Sequence, residues 1–139
     1  MATDPTTTGG CLCGKIRYRM TGPVRMCVAC HCKNCQRQAG SALSVVIGLD
    51  EDAIEITGTV KTYRDKGETG GDVWRQFCGD CGSPVFTIAD AAPGVKFIKA
   101  GTLDDTSALR PAFHCYTKSK QDWLTLGDLP HFAEMPPEA

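Results

Sequence analysis

Short stretches in which apolar and polar residues alternate run along most of this chain. Residues 15–20 read KIRYRM, which places Ile16, Tyr18 and Met20 on one face of an extended segment. Alternation with a period of two is typical of a β-strand with one buried face. Comparable patterns, or β-branched runs suited to a buried strand, predict further strands at residues 43–48, 53–57, 59–64, 73–78, 84–90, 95–103 and 113–117.

Turn residues separate these predicted strands. Gly58 alone lies between residues 53–57 and 59–64, which favours a hairpin. Ala92-Pro93-Gly94 separates another predicted pair, at residues 84–90 and 95–103. The one segment that favours a short helix is CKNCQRQAG, residues 32–40, with Gly40 at its end. Many short strands with regular turn signals predict an all-β domain.

The chain has 139 residues, which is most simply one domain large enough to bury a core. Residues 1–8 hold four threonines and a proline, and we expect a disordered leader there. The domain is predicted to span residues 9–133. A proline-rich tail, residues 134–139, follows it.

Charge and hydrophobicity exclude two classes of partner. Fifteen Lys and Arg against sixteen Asp and Glu give a net charge of −1, without the basic excess that nucleic-acid binding requires. The start of the chain has neither the basic nor the apolar part of a secretion signal, and the run ALSVVIGL is too short to span a bilayer. We therefore expect a cytoplasmic protein whose nine cysteines are reduced and serve as metal ligands or redox groups rather than disulfides.

Four cysteines occur as two pairs flanked by glycines. Cys11 and Cys13 form GGCLCGK, and Cys78 and Cys81 form the zinc-knuckle pattern FCGDCGSP. A structural zinc takes four thiolates, so these two pairs predict one closed site. The alternative is that the four thiols pack in the core. A zinc site of this kind would contribute folding free energy directly.

A second group, CHCKNC, supplies Cys30, Cys32 and Cys35. Three protein ligands with an open fourth position are typical of a catalytic zinc, and a zinc held by three thiolates is better suited to holding an incoming thiol as thiolate than to activating water. Cys27 stands three residues earlier and is a candidate fourth ligand that would close the site; otherwise it is a buried free thiol. His31, between two ligands, is expected to point away from the metal. Cys115 is expected in the core.

In this order, the three cysteine groups resemble those of the glutathione-dependent formaldehyde-activating family, which includes centromere protein V. The matching segments are GGCLCGKIRY, CHCKNCQRQAGSALS, FCGDCGSPVF and RPAFHCYTKSKQDWLTLGDLPHF, which together span residues 9–132. The resemblance implies an all-β fold of small antiparallel sheets around zinc, sometimes called a β-tent. It also implies two zinc ions per chain, a structural one on Cys11, Cys13, Cys78 and Cys81 and a catalytic one on Cys30, Cys32 and Cys35. Cys27 departs from the family pattern, in which an apolar or small residue is usual there.

The activity that the resemblance implies is that of a carbon–sulfur lyase. Its partners are a small thiol, glutathione, and an aldehyde, formaldehyde, which combine to S-hydroxymethylglutathione. Arg37 and Ser41 follow the second cysteine group and are candidates to bind a substrate carboxylate or stabilise an alkoxide, and Lys33 would add positive charge. A solvated surface charge, or a local backbone hydrogen bond for Ser41, is the plainer role of each. His114 and Trp123 match family positions, where a structural role is the simpler expectation.

Other functions stay open from the sequence alone. A non-catalytic binding module stabilised by zinc is favoured if Cys27 is a fourth ligand. Iron can replace zinc in a site of four thiolates. A redox role for CHCKNC is conceivable, although no thioredoxin-like βαβ pattern accompanies it.

Overall fold

The computed structural model describes residues 7–137 of the chain. Within them it has one α-helix, α1 (Lys33–Ala39), and ten strands. The strands are β1 (Thr8–Gly10), β2 (Arg17–Met20), β3 (Met26–Cys30), β4 (Ser44–Asp50), β5 (Ile54–Thr57), β6 (Val60–Lys66), β7 (Asp72–Cys78), β8 (Pro84–Ala89), β9 (Val95–Lys99) and β10 (Phe113–Cys115). The all-β prediction is confirmed.

The strands form two open sheets. One has three strands in the order β1-β2-β5, and the other has seven in the order β10-β3-β4-β9-β8-β7-β6. Neighbouring strands are antiparallel, except that β10 runs parallel to β3. The parallel pair arises because β10 arrives from a distant part of the chain rather than through a hairpin.

One face of the seven-stranded sheet carries the hydrophobic core. Ile47, Ile98 and Phe86 lie directly opposite one another on β4, β9 and β8, and all three are buried. The three-stranded sheet packs against this core face with Ile16, Tyr18 and Ile54. Residues two apart on a strand share a face, so the intervening residues point to the other side of the sheet.

The other face of the seven-stranded sheet, which we call the site face, carries polar and cysteine side chains. Ser44 lies directly opposite Cys30, and Cys30 lies directly opposite Cys115. Lys99 is opposite Val46, two residues after Ser44, and therefore points to the same side. The site face thus collects residues from four neighbouring strands, β10, β3, β4 and β9.

The predicted hairpin around Gly58 is wrong. β5 pairs with β2 and β6 pairs with β7, so the chain leaves one sheet for the other at this glycine. Gly58 has φ +99°, and a Cβ there would come 2.2 Å from the Lys15 carbonyl oxygen. The glycine is therefore required for a close backbone approach at the end of the β2–β5 ladder, where the chain leaves the three-stranded sheet, rather than for a two-strand turn.

The predicted short helix is confirmed. α1 begins after Cys32, whose sulfur accepts a hydrogen bond from the Cys35 amide, and it ends at Gly40 in the left-handed conformation. Gln36 is its buried residue, and its side-chain amide donates to the carbonyl oxygens of His31 and Ser119, each at 2.8 Å. These bonds fix the helix beside the end of β3.

The structure also describes part of the predicted leader and tail. The leader falls mostly on residues 1–6, outside the described residues, while Thr8 opens β1 opposite Arg19. Residues 138–139 of the tail also lie outside. Glu134, the first residue of the predicted tail, accepts a backbone hydrogen bond from Tyr116 and forms an ion pair with Lys118 at 2.7 Å. No described helix has the length and apolar character needed to cross a membrane.

Candidate metal centres

The first cysteine cluster joins the loop between β1 and β2 to the end of β7. The sulfur atoms of Cys11, Cys13, Cys78 and Cys81 all lie within 4.8 Å of one another. Cys13 Sγ is 3.7 Å from both Cys11 Sγ and Cys78 Sγ. Tetrahedral zinc with Zn–S bonds of about 2.3 Å separates its sulfurs by about 3.8 Å, so this cluster fits a four-thiolate metal site.

Backbone and side-chain donors point toward these sulfurs. The Ile16 amide donates to Cys11 Sγ at 3.2 Å, and the Asp80 amide donates to Cys78 Sγ at 3.4 Å. Hydrogen bonds with Ser83 lower the pKa of Cys81 to about 5. Donors of this kind stabilise thiolates, which are the form that binds a metal.

The second cluster lies on the site face, where β3 passes into α1. The sulfurs of Cys30, Cys32 and Cys35 are within 4.8 Å of one another. Within residues 7–137, no fourth histidine, cysteine or carboxylate ligand atom joins this group. Three thiols around one point, with no fourth protein ligand, fit a metal with an open coordination position.

Cys27 lies on the other side of the same strand. It is directly opposite Ile47 and packs against the hydrophobic core. Cys27 and Cys30 are three residues apart on β3, so alternation places them on opposite faces of the sheet. The structure therefore does not bring this candidate fourth ligand to the second cluster.

Cys115 lies beside the second cluster, which the sequence did not indicate. It is buried, as expected of a core residue, but β10 places it directly opposite Cys30 on the site face. A hydrogen bond with the Cys115 thiol is the largest cause that raises the pKa of Cys30. The neighbour of Cys30 across the sheet is thus a cysteine remote in sequence, brought there by a parallel strand pair.

Two buried cations flank the second cluster. Lys99 is 7% exposed and donates to Ser44 Oγ at 2.8 Å; Arg75 is 6% exposed and donates through Nε to Asp65 at 2.9 Å. Hydrogen bonds with Cys30 and Cys32 lower the pKa of Cys35 to about 2, and the charges of Lys99 and Arg75 act in the same direction. Burial lowers the pKa of Lys99, which the negative charge on Cys35 opposes. The site therefore favours negative charge on the Cys35 sulfur.

Two clefts open beside α1, one near each cation. The first, about 290 Å³, is lined by Asn34, Arg37, Gln38, Tyr63, Asp65 and Arg75. The second, about 310 Å³, is lined by Ala39, Leu43, Ser44, Val45, Ser83, Pro84, Lys99, Gly101 and Thr102. Lys99 and Ser44 both line the second cleft, and Ser44 lies directly opposite Cys30 on the site face.

The three polar candidates from the sequence, Arg37, Ser41 and Lys33, have different surroundings. Arg37 is exposed and lines the first cleft, whereas Ser41 and Lys33 are exposed and line neither cleft. The Ser41 amide donates to the Gln36 carbonyl oxygen, which continues the end of α1. Arg75, Lys99 and Ser44 were missed by sequence reasoning, because only strand register shows that they share a face with Cys30.

The two histidines near the site pair with each other. His31 is fully buried, and its Nε2 lies 2.8 Å from His114 Nδ1 on β10. Neither ring belongs to a thiol cluster among the described residues. Trp123 is 71% exposed and donates to Gln121, which in turn donates to Gln36 of α1. These contacts hold the segment after β10 against the helix that carries Cys35.

Comparisons with known proteins agree with this architecture. The family model described as glutathione-dependent formaldehyde-activating enzyme matches residues 6–119. No curated protein matches the chain. A solved Rhodobacter sphaeroides protein, a structural genomics target, aligns with a TM-score of 0.57 and 16% sequence identity, over 90% of this chain and 99% of that one. This likeness shows the fold alone.

Proposed function

The chain belongs to the glutathione-dependent formaldehyde-activating enzyme family, and on that premise we propose that it adds a small thiol to an aldehyde at a zinc site formed by Cys30, Cys32 and Cys35. The observation that carries the proposal is the second cluster itself. It has three thiols on one side, two buried cations beside them, and no fourth protein ligand within the described residues. The proposed reaction class is that of a carbon–sulfur lyase of the S-hydroxymethylglutathione synthase type.

The four-cysteine cluster would hold the other zinc, with a structural role. Two of its ligands lie in the loop between β1 and β2, and the other two lie at the end of β7 and in the loop after it; none of them lines either of the two clefts described above. Four thiolates complete a tetrahedral shell and leave no position for a substrate. The proposal therefore assigns the chemistry to the second cluster alone.

At the second cluster, the chain supplies charge and orientation. Zinc, when bound, supplies positive charge that keeps an incoming thiol ionised near neutral pH. Lys99 and Arg75 add two positive charges near the sulfurs, which offset the excess negative charge of three cysteine thiolates and a substrate thiolate. The Cys32 sulfur also caps α1, so the ligand loop and the helix that carries Cys35 are held as one unit.

Glutathione is the proposed thiol, on the strength of the family. Arg37 in the first cleft is exposed and carries a guanidinium that suits a carboxylate, and glutathione has two carboxylates. The same cleft is lined by Arg75, whose charge favours the thiolate form of Cys35. A thiol bound with its carboxylates at Arg37 would have a short path to the second cluster.

Metal content and rate enhancement test this proposal together. We expect two zinc ions per chain in protein purified without chelator, and faster exchange between formaldehyde and its glutathione adduct, measured by exchange NMR on ¹³C-labelled formaldehyde. Cys32→Ser should retain one zinc and lose the enhancement, because serine preserves the cap of α1 but not the thiolate.

Cys27→Ser is the matched control, since Cys27 lies on the core face of the same strand. It should keep two zinc ions and the full exchange rate. Two zinc ions in the wild type without any rate enhancement, for glutathione or for free cysteine, would reject the enzymatic proposal and favour a non-catalytic zinc-stabilised binding module.

A further inference from the structure

The second cleft, which we call the Lys99 cleft, lies beside the C-terminal end of α1. Its walls come from the end of α1, the start of β4, the loop before β8 and the 3₁₀ turn after β9. Most of the lining is apolar or small, contributed by Ala39, Leu43, Val45, Pro84 and Gly101. A lining of this kind suits a ligand with a small apolar body.

The polar residues that line the Lys99 cleft are Ser44, Ser83, Lys99 and Thr102, of which Ser44 and Lys99 lie on the site face. Lys99 Nζ donates to Ser44 Oγ at 2.8 Å, and Ser44 lies directly opposite Cys30 in the β3–β4 ladder. Side chains opposite each other on one face of an antiparallel pair have Cβ atoms about 5 Å apart. A ligand whose polar end reaches Lys99 and Ser44 is therefore placed next to the Cys30 sulfur.

The Lys99 ammonium retains donor capacity beyond its bond to Ser44. An ammonium has three N–H donors, and Ser44 Oγ is the acceptor that the structure assigns to Lys99. Burial of the lysine makes a bond to an oxygen that gains charge stronger than the same bond in water. A carbonyl oxygen is the ligand group that this arrangement suits, because it accepts hydrogen bonds and becomes an alkoxide when a thiolate adds.

We propose that the Lys99 cleft is the carbonyl site of the enzyme, that Lys99 and Ser44 hold the carbonyl oxygen, and that the site accepts aldehydes with short alkyl chains in addition to formaldehyde. This inference rests on the proposed thiol addition. A cleft of about 310 Å³ with apolar walls is far larger than formaldehyde requires. The alkyl chain would lie along the walls near Gly101.

The reaction balances without a further reactant. The thiolate sulfur forms a bond to the carbonyl carbon, and the carbon–oxygen π bond breaks with its electron pair moving to oxygen. Lys99 donates a hydrogen bond to that oxygen, which takes up one proton, equal in number to the proton that the thiol lost on ionisation. A thiol and an aldehyde thus give a hemithioacetal, with no oxidant or reductant.

Three variants separate cleft binding from general charge effects. Gly101→Leu fills the cleft, and the structure leaves open space where its Cβ would lie, at a backbone conformation that any residue adopts. Lys99→Met removes the hydrogen-bond donor while keeping a side chain of nearly the same length. Lys96→Met is the matched control, because Lys96 is on the same strand, lies over the Phe86 ring and lines neither cleft.

The kinetic test compares formaldehyde with butyraldehyde as partners of glutathione, using zinc-loaded protein. Gly101→Leu should raise KM for butyraldehyde at least ten times more than it raises KM for formaldehyde, because leucine occupies the space near Gly101 that only an alkyl chain would reach. Lys99→Met should lower kcat/KM for both aldehydes by about 100-fold, as loss of one oxyanion donor does, with zinc content unchanged. Lys96→Met should stay within twofold of the wild type.

Butyramide, an unreactive analogue of butyraldehyde, gives a readout that does not depend on turnover. Saturation-transfer NMR should detect its binding to the wild type and to Lys96→Met, and should show its loss in Gly101→Leu. No binding to the wild type, or equal binding to Gly101→Leu, would overturn the cleft assignment. Loss of zinc in Lys99→Met would show that the lysine serves the metal ligands instead, which also overturns the proposed role.

The two proposals fail in different ways. Butyramide binding that Gly101→Leu abolishes, without conversion of any aldehyde by the wild type, would reject the thiol-addition reaction while supporting the cleft as a carbonyl site. Conversion of formaldehyde and butyraldehyde with unchanged KM in Gly101→Leu would support the reaction and reject the cleft.

Discussion

Gly58 shows how one residue allows the chain to leave the three-stranded sheet. Its φ of +99° is a conformation that L side chains rarely adopt, and a Cβ added to this residue would lie 2.2 Å from the Lys15 carbonyl oxygen. Lys15 precedes the strand β2 that pairs with β5, so the close approach is between two backbone segments. Neither segment can move without disturbing the three-stranded sheet.

We therefore predict that Gly58→Ala lowers the free energy of unfolding by clearly more than the cost of a positive φ alone, which is about 1–2 kcal/mol for a non-glycine residue. Gly94→Ala is the control for that cost, since Gly94 has φ +78° and open space around it. Urea unfolding of both variants gives the difference between their free energies of unfolding. Equal destabilisation would show that the Lys15 contact relaxes without penalty.

At the residue scale, spacing along the sequence identified the thiol clusters but not their neighbours. Cys11, Cys13, Cys78 and Cys81 come together as the glycine-flanked pairs indicate. Of the two roles left open for Cys27, alternation on β3 favours the buried thiol, because it turns Cys27 to the core; Cys115, expected in the core, is instead brought beside Cys30 by parallel pairing. The spacing of two cysteines does not reveal which face of a strand each will occupy until the strand itself is recognised.

At the scale of elements, β10 depends on a segment at the very end of the predicted domain. The His114 amide donates to the Pro130 carbonyl oxygen, and the Phe132 amide donates back to the His114 carbonyl oxygen. Phe132 also packs edge-to-face on Phe113, with ring centroids 5.7 Å apart. Residues 130–134 thus cover the outer edge of β10, whose inner edge supports Cys30 on β3.

Truncation after Leu129 should therefore destabilise the second cluster. Without residues 130–134, the short strand β10 becomes an exposed edge and loses its aromatic packing, so Cys115 and the end of β3 should become mobile. Hydrogen exchange should show faster exchange of the His114 and Cys115 amides, and the zinc content should fall from two toward one.

Truncation after Glu134 is the matched control for that experiment. It retains the backbone hydrogen bond between Glu134 and Tyr116 and the ion pair of Glu134 with Lys118. It should keep both metals and the exchange rates of the wild type. If truncation after Leu129 also keeps both metals and the wild-type exchange rates, residues 130–134 are not needed to hold β10 in place.

Elements with a local signal were predicted better than those whose partners are distant. The alternating residues at 59–64 and 73–78 correspond to β6 and β7, and the Gly40 stop corresponds to the end of α1. β1 and β3 were missed, since TGG has little strand propensity and MCVAC carries its cysteines on both faces. The hairpin at Gly58 was wrong because a single glycine between two strands does not show which sheet each strand will join.

At the scale of the whole molecule, the two thiol clusters differ in what they connect. The first spans 65 residues between Cys13 and Cys78 and joins the loop that opens the three-stranded sheet to the end of a strand in the seven-stranded sheet. The second lies within six consecutive residues on one face of one sheet. The Tyr18 side chain also links the sheets, through its hydroxyl 2.7 Å from Thr102 Oγ1 and through its ring contact with Phe86.

We predict that this difference separates Cys81→Ser from Cys32→Ser in folding. A structural four-thiolate zinc contributes about 10–16 kcal/mol of apparent binding free energy, which is comparable to or larger than the roughly 5–15 kcal/mol stability of a typical domain. Cys81→Ser should therefore unfold the chain or leave it without a cooperative thermal transition. Cys32→Ser should unfold cooperatively within a few degrees of the wild type and bind one zinc ion.

Circular dichroism melting with elemental analysis of each sample makes the comparison, with Cys27→Ser as a control for loss of a core thiol. A chelator should remove zinc from the second cluster before the first, since the second cluster has only three protein ligands and the first has four. One zinc ion should leave with the fold intact, and unfolding should accompany removal of the other. Equal loss of folding in Cys81→Ser and Cys32→Ser would contradict the division, because it would mean that both clusters hold the two sheets together.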